Sequence, residues 1–194
     1  MAGISIIGVS GSVTRPSRTT ALVQAVLDRI EARSGIATRL IELVDSAPRL
    51  FGALTRDKLV GDARALVQAI EQADLLVIGT PVYRASYTGA LKHLFDLVHH
   101  AGFASKPIIL TATGGSHLHG LVTEHQLRPL FGFLNALTLP TTVYAVETDF
   151  LDYRVSSSKI LDRVERAVTE ALTQLGRQGA ESAEQEDRRA LAAG

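Results

Sequence analysis

The stretch Ile4–Ile30, ISIIGVSGSVTRPSRTTALVQAVLDRI, decides the fold. Ile4–Val9 is a short apolar run closed by turn-forming residues, the pattern of a strand buried on both faces. From about Ser17 onward, Leu22, Val23, Val26, Leu27 and Ile30 fall on one helical stripe, and Gly35 supplies the left-handed cap that ends it. Between strand and helix lie Ser10, Ser12, Thr14, Ser17, Thr19 and Thr20, with Arg15 and Arg18 among them and Gly8 and Gly11 allowing tight turns. A strand that delivers such a loop to a helix N-terminus makes an anion site, because free N–H groups and the helix dipole both favour negative charge.

Further along the chain the two periods alternate. Thr38–Leu43 reads as a second strand, and Val44–Lys58, with Pro48 and Gly52, as a loop. Ala63, Leu66, Val67 and Ile70 mark a helix, Asp74–Thr80 a third strand, and Thr88 to about His99 another helix. Pro107–Ala112 is a fourth strand, Leu121–Leu137 a helix, Thr141–Val146 a fifth strand and Ser156–Leu175 the last helix. The polar, alanine-rich remainder from Arg177 is expected to be mobile or weakly helical, giving one domain over residues 1–176 and a tail over 177–194. Alternating strands and helices imply an α/β fold, a doubly wound parallel sheet with right-handed crossovers. Five strands favour the flavodoxin-like order 2-1-3-4-5, in which ligands sit at the carboxyl ends of the strands.

Composition removes several function classes. Twenty basic and twenty acidic residues cancel, so there is no electrostatic case for nucleic acid or an anionic membrane. The chain has no cysteine, which excludes disulfides and thiolate chemistry. No charged region precedes a secretory core and Ile4–Val9 is too short to span a bilayer, so the expected location is the cytoplasm. His99, His100, His117, His119 and His125 lack the carboxylate or cysteine spacing of a metal site, and no nucleophile elbow accompanies a Ser-His-Asp set; no metal is expected. Glu147, Asp149 and Asp152 read as a solvated loop.

Three loops at the ligand edge remain. The first lacks the Gly-Lys-Ser/Thr of a Walker loop and the third glycine of a dinucleotide fingerprint. Hydroxyls in place of glycines suit a terminal phosphomonoester, to which either arginine would add a charge-assisted bond. A simple N-cap at Ser17 is the competing explanation, but six hydroxyls and two arginines exceed what a cap requires. The second loop, Thr80–Lys92, offers Tyr83, Tyr87 and Ser86 to a planar ring, and the third, Thr113-Gly114-Gly115-Ser116, lets backbone amides approach that ring's polar edge. A mononucleotide with a flat ring fits all three, and FMN meets that description.

Gly11-Ser12 through Ser17-Arg18-Thr19-Thr20, then Pro81-Val82-Tyr83-Arg84-Ala85-Ser86-Tyr87-Thr88-Gly89-Ala90-Leu91-Lys92, then Ala112-Thr113-Gly114-Gly115, resemble the NAD(P)H-dependent FMN reductases over Ile4 to about Leu175. Within that family the chain is most similar to the reductases of two-component alkanesulfonate and methanesulfonate monooxygenases. The resemblance implies reduction of FMN by NADH or NADPH and delivery of reduced FMN to a partner flavin-dependent monooxygenase. It also implies a homo-oligomer, a tetramer with dimer forms. Ser10, Ser12, Ser17, Arg18, Thr19 and Thr20 are then expected at the FMN phosphate. Pro81, Val82, Tyr83, Arg84 and Ser86, with Thr113, Gly114 and Gly115, are expected around the ring and ribityl. Alkanesulfonate-type reductases carry an inserted tyrosine that makes a π-bulge at the tetramer interface. Here His125 stands at that place, closer to the methanesulfonate type. A local cause for a bulge exists, since Pro129 has no N–H for the carbonyl of His125. Flavin chemistry needs no protein nucleophile, so no catalytic side chain is assigned. Two other readings are an FMN-retaining quinone or azo reductase and a flavodoxin-like electron carrier; the balanced charge argues against the carrier.

Overall fold

The computed structural model describes residues 3–193, with side chains through 181 and at 188. The chain runs β1 (Ile6–Ser10), α1 (Arg18–Ser34), β2 (Thr38–Glu42), α2 (Leu43–Leu50), α3 (Gly61–Gln72), β3 (Leu75–Pro81), α4 (Gly89–Asp96) and β4 (Pro107–Gly114). Next come a π-helical turn (Thr123–Leu127), α5 (Arg128–Phe133), β5 (Leu137–Thr138), β6 (Val143–Val146), a small hairpin of β7 (Phe150–Leu151) and β8 (Arg154–Val155), and α6 (Ser158–Ala193). The sheet is parallel in the order β2-β1-β3-β4-β5, the flavodoxin-like order expected. Residues 177–193, set apart in the sequence as a tail, continue α6.

Alternation along the strands builds two cores. Leu76 and Ile78 face α2–α5 with Ile7, Val9, Ile108 and Leu110, while Leu75 and Val77 face α1 and α6 with Ile6, Ile109 and Val143. Each central strand is therefore apolar on both sides, as its unbroken run required. Helix α1 lies close to the sheet because Gly79 has no side chain; a Cβ there would stand 2.3 Å from Val23 Cγ2. This close approach brings the N-terminus of α1 to the carboxyl edge of β1, β3 and β4.

Three segments depart from expectation. The presumed loop Val44–Lys58 begins with α2, in which Leu43, Ala47 and Leu50 are buried at i, i+4 and i+7 despite Pro48; burial of that stripe overrides the proline's lost hydrogen bond. The expected helix Leu121–Leu137 is broken. Asn135 adopts φ +55°, Ala136 N donates to Phe131 O, and this left-handed closure frees Leu137–Thr138 to become strand. The fifth strand is split: β5 pairs with Pro107 and Ile108 at the start of β4, and β6 pairs with Thr111–Gly114 at its end. The Arg128 guanidinium bridges the interruption, donating to Thr138 Oγ1 at 2.8 Å and to the carbonyls of Leu139 and Pro140 while pairing with Glu124 at 2.6 Å.

The π turn spans His125. His125 N donates to Leu121 O four residues back, but Arg128 N donates to Thr123 O five back, so one residue is absorbed just before Pro129. Among the described residues, no helix is long and apolar enough to cross a membrane.

Candidate functional site

The first loop is fixed at its start, Gly11, by two buried polar contacts. Gly11 N donates to Gly79 O at 2.7 Å and Thr88 Oγ1 to Gly11 O at 2.8 Å. Ser12 folds its own loop, its hydroxyl donating to Thr14 O and accepting from Thr14 N. Ser17 is the N-cap of α1, accepting from Thr20 N at 3.2 Å, which leaves its own hydroxyl hydrogen to donate outward. The N–H groups of Arg18 and Thr19 in the first turn have no intrahelical acceptor. Ser10 and Thr20 bond each other at 2.8 Å, and Thr20 donates onward to Glu42. These two hydroxyls support the loop from beneath rather than lining the cleft. Arg15 turns away altogether, to Asp45 at 2.7 Å and Glu42, so of the two arginines only Arg18 remains at the helix N-terminus.

The second loop extends β3 past its end. Val82 N donates to Thr113 O at 2.8 Å, and Tyr83 and Ser86 exchange backbone bonds at 2.9 and 3.1 Å around Arg84 and Ala85. Both central residues are left-handed, φ +50° and +64°. Two-residue turns of this kind ordinarily use Asn-Gly, because a Cβ in that conformation costs on the order of 1–2 kcal/mol. Strain held by two adjacent non-glycine residues tends to cluster at functional segments. Ser86 Oγ is 3.1 Å from Gln126 Oε1, joining this turn directly to the π turn.

The third loop is shaped by Tyr144, which sequence reading placed in a strand and nothing more. Its hydroxyl donates to Ser116 O at 2.6 Å and crosses the space a Cβ at Gly114 would fill, 2.1 Å from it. Burial raises the Tyr144 pKa, so it stays a donor. Buried Thr19 and Thr113 meet hydroxyl to hydroxyl at 2.6 Å, tying the first loop to the third.

These contacts enclose an open cleft of about 230 Å³. Of the residues expected from sequence, Ser12, Ser17, Arg18, Thr19, Pro81, Val82, Tyr83, Thr113, Gly114 and Gly115 line it, whereas Ser10, Thr20, Arg84 and Ser86 do not. A fourth wall, formed by Val146, Glu147 and Tyr153, was not expected from sequence. Glu147 pairs with Arg18, and the Arg18 guanidinium lies 5.3 Å from the Tyr153 ring centre. The signal was present: Glu147 directly follows a strand at the same carboxyl edge. His125 and Pro129 are both exposed and outside the cleft.

Residues 4–150 match the family described as NADPH-dependent FMN reductase. The chain belongs to the NADPH-dependent FMN reductase family. It is 47% identical over 173 residues to the NADH-dependent FMN reductase SfnF of Pseudomonas fluorescens, covering 89% of this chain and 92% of that protein. It is 44% identical over 171 residues to FMN reductase (NADPH) of Pseudomonas aeruginosa, covering 88% of this chain and 92% of that protein. Among solved structures, an oxidoreductase from Corynebacterium diphtheriae superposes with a TM-score of 0.78 at 30% identity, over 91% of this chain and 99% of that one. This reductase is therefore an enzyme whose reactants are FMN and a reduced nicotinamide.

The cleft fits FMN on its donor set. The Ser17 hydroxyl, the free N–H groups of Arg18 and Thr19 at the start of α1 and the Arg18 cation suit a phosphate. Gly114 and Gly115 leave backbone exposed where a ring edge would lie.

Proposed function

We propose that the cleft holds FMN by its phosphate at Ser12, Ser17, Arg18 and Thr19, that NADH or NADPH reduces it, and that reduced FMN leaves for a separate flavin-dependent monooxygenase. The observation that carries this reading is the Thr19–Thr113 bond, which fixes a phosphate-type loop and a ring-edge loop in one rigid unit. FMN, when bound, supplies the hydride-accepting ring. The chain's own part is orientation. Ser17 and Thr19 hold one end, Pro81, Val82 and Tyr83 the flank, and the amides at Gly114 and Gly115 favour negative charge at the ring's polar edge.

The open cleft supports release over retention. We place the protein in the cytoplasm as a homo-oligomer, a tetramer with dimer forms. The reductase domain is residues 1–176. The resemblance to sulfonate-system reductases points to a partner in sulfonate sulfur assimilation. Replacing Ser17 and Arg18 by alanine is expected to weaken FMN by about 1–3 kcal/mol while leaving riboflavin binding unchanged. Equal losses for both flavins, read by fluorescence quenching, would remove the phosphate assignment.

A further inference from the structure

Glu147 is an unexpected neighbour for a phosphate site. It is the first residue after β6, beside the glycine cradle, since Val146 is in register with Gly114. The turn that carries it is built to hold it there: Asp149 Oδ2 accepts from Val146 N at 2.9 Å, and the Asp149 carbonyl accepts from Ser156 N and Ser157 N. The β7–β8 hairpin turns on Asp152 and Tyr153, both left-handed at φ +47° and +58°, and sets the Tyr153 ring against Arg18. Arg18 is thus clamped between a carboxylate and an aromatic ring. Among the described residues it is the one cation lining the cleft, and it is neutralised where a dianion would bind.

We propose that Glu147 sets FMN affinity. Its carboxylate competes with the phosphate for Arg18 and opposes the phosphate charge, holding affinity low enough for the flavin to depart after each turnover. The inference rests on the proposed phosphate site at Ser12, Ser17, Arg18 and Thr19. A carboxylate 73% exposed is screened by water, so the effect is moderate and depends on salt. Because the side chain is exposed and Asp149 rather than Glu147 holds the turn, its substitution leaves the fold intact.

The test is equilibrium binding of FMN and of riboflavin to the wild type and to Glu147→Gln, by flavin fluorescence at low and high ionic strength. The variant is expected to bind FMN about three- to tenfold tighter at low ionic strength, with a smaller gain at high salt and no change for riboflavin. Unchanged or weaker FMN binding, with wild type still preferring FMN over riboflavin, would overturn the role of Glu147 and leave the phosphate site standing. Equal gains for both flavins would also overturn it. If the wild type binds riboflavin as tightly as FMN, the phosphate assignment itself fails.

Discussion

Thr19 and Thr113 come from elements 94 positions apart and meet at 2.6 Å, with exposures of 2% and 7%. Removing one hydroxyl strands the other away from water, which costs about 1–3 kcal/mol. Thr113→Val should therefore lower stability in urea unfolding by about that amount and weaken FMN binding, whereas Thr113→Ser should restore most of both. A Val variant as stable as wild type would show that the pair contributes nothing. Residue types alone announced hydroxyls at this edge, yet not their division of labour. Ser10 and Thr20 brace the loop, Arg15 serves Glu42 and Asp45 at the junction of β2 and α2, and Arg18 is shared with Glu147. Those assignments depend on side-chain direction across the sheet, which spacing along the chain does not carry.

Among the elements, the Tyr83–Ser86 turn stores strain at Arg84 and Ala85. Glycine relieves roughly 1–2 kcal/mol in that conformation and returns about 0.5–1 kcal/mol through the freedom of its unfolded chain. Ala85→Gly should consequently raise stability by about 0.5–1 kcal/mol on these two terms, and an equal or lower melting temperature would contradict the strain. The π turn offers a second case. Deleting His125 removes the extra residue that the turn absorbs and so remodels the backbone that presents Gln126 to Ser86. FMN dissociation and sedimentation are expected to change more than the thermal melt. An unaltered oligomer with unaltered flavin kinetics would count against any role for the turn. Pro129 made this bulge legible in advance. By contrast, Pro48 masked α2, because the stripe Leu43, Ala47, Leu50 carries weight only once a core exists to receive it.

At the scale of the molecule, sheet order was legible because central strands buried on both faces are unbroken apolar runs and each is followed by a one-sided helix. The split of the last strand was not, since it is set by Arg128 collecting free carbonyls between β5 and β6. The fourth wall escaped for a related reason: Glu147, Asp149 and Asp152 read as a solvated loop until β6 places Glu147 beside Gly114 and the following hairpin brings Tyr153 to Arg18. The proposed role of this open cleft makes flavin a substrate that comes and goes. Anaerobic reduction of FMN in large excess over protein, with NADH and NADPH supplied in parallel and bleaching followed to completion, tests it most directly. Many FMN molecules should be reduced per chain by at least one of the two nicotinamides. Bleaching that stops at one flavin per chain, while quinone is turned over rapidly, would contradict it.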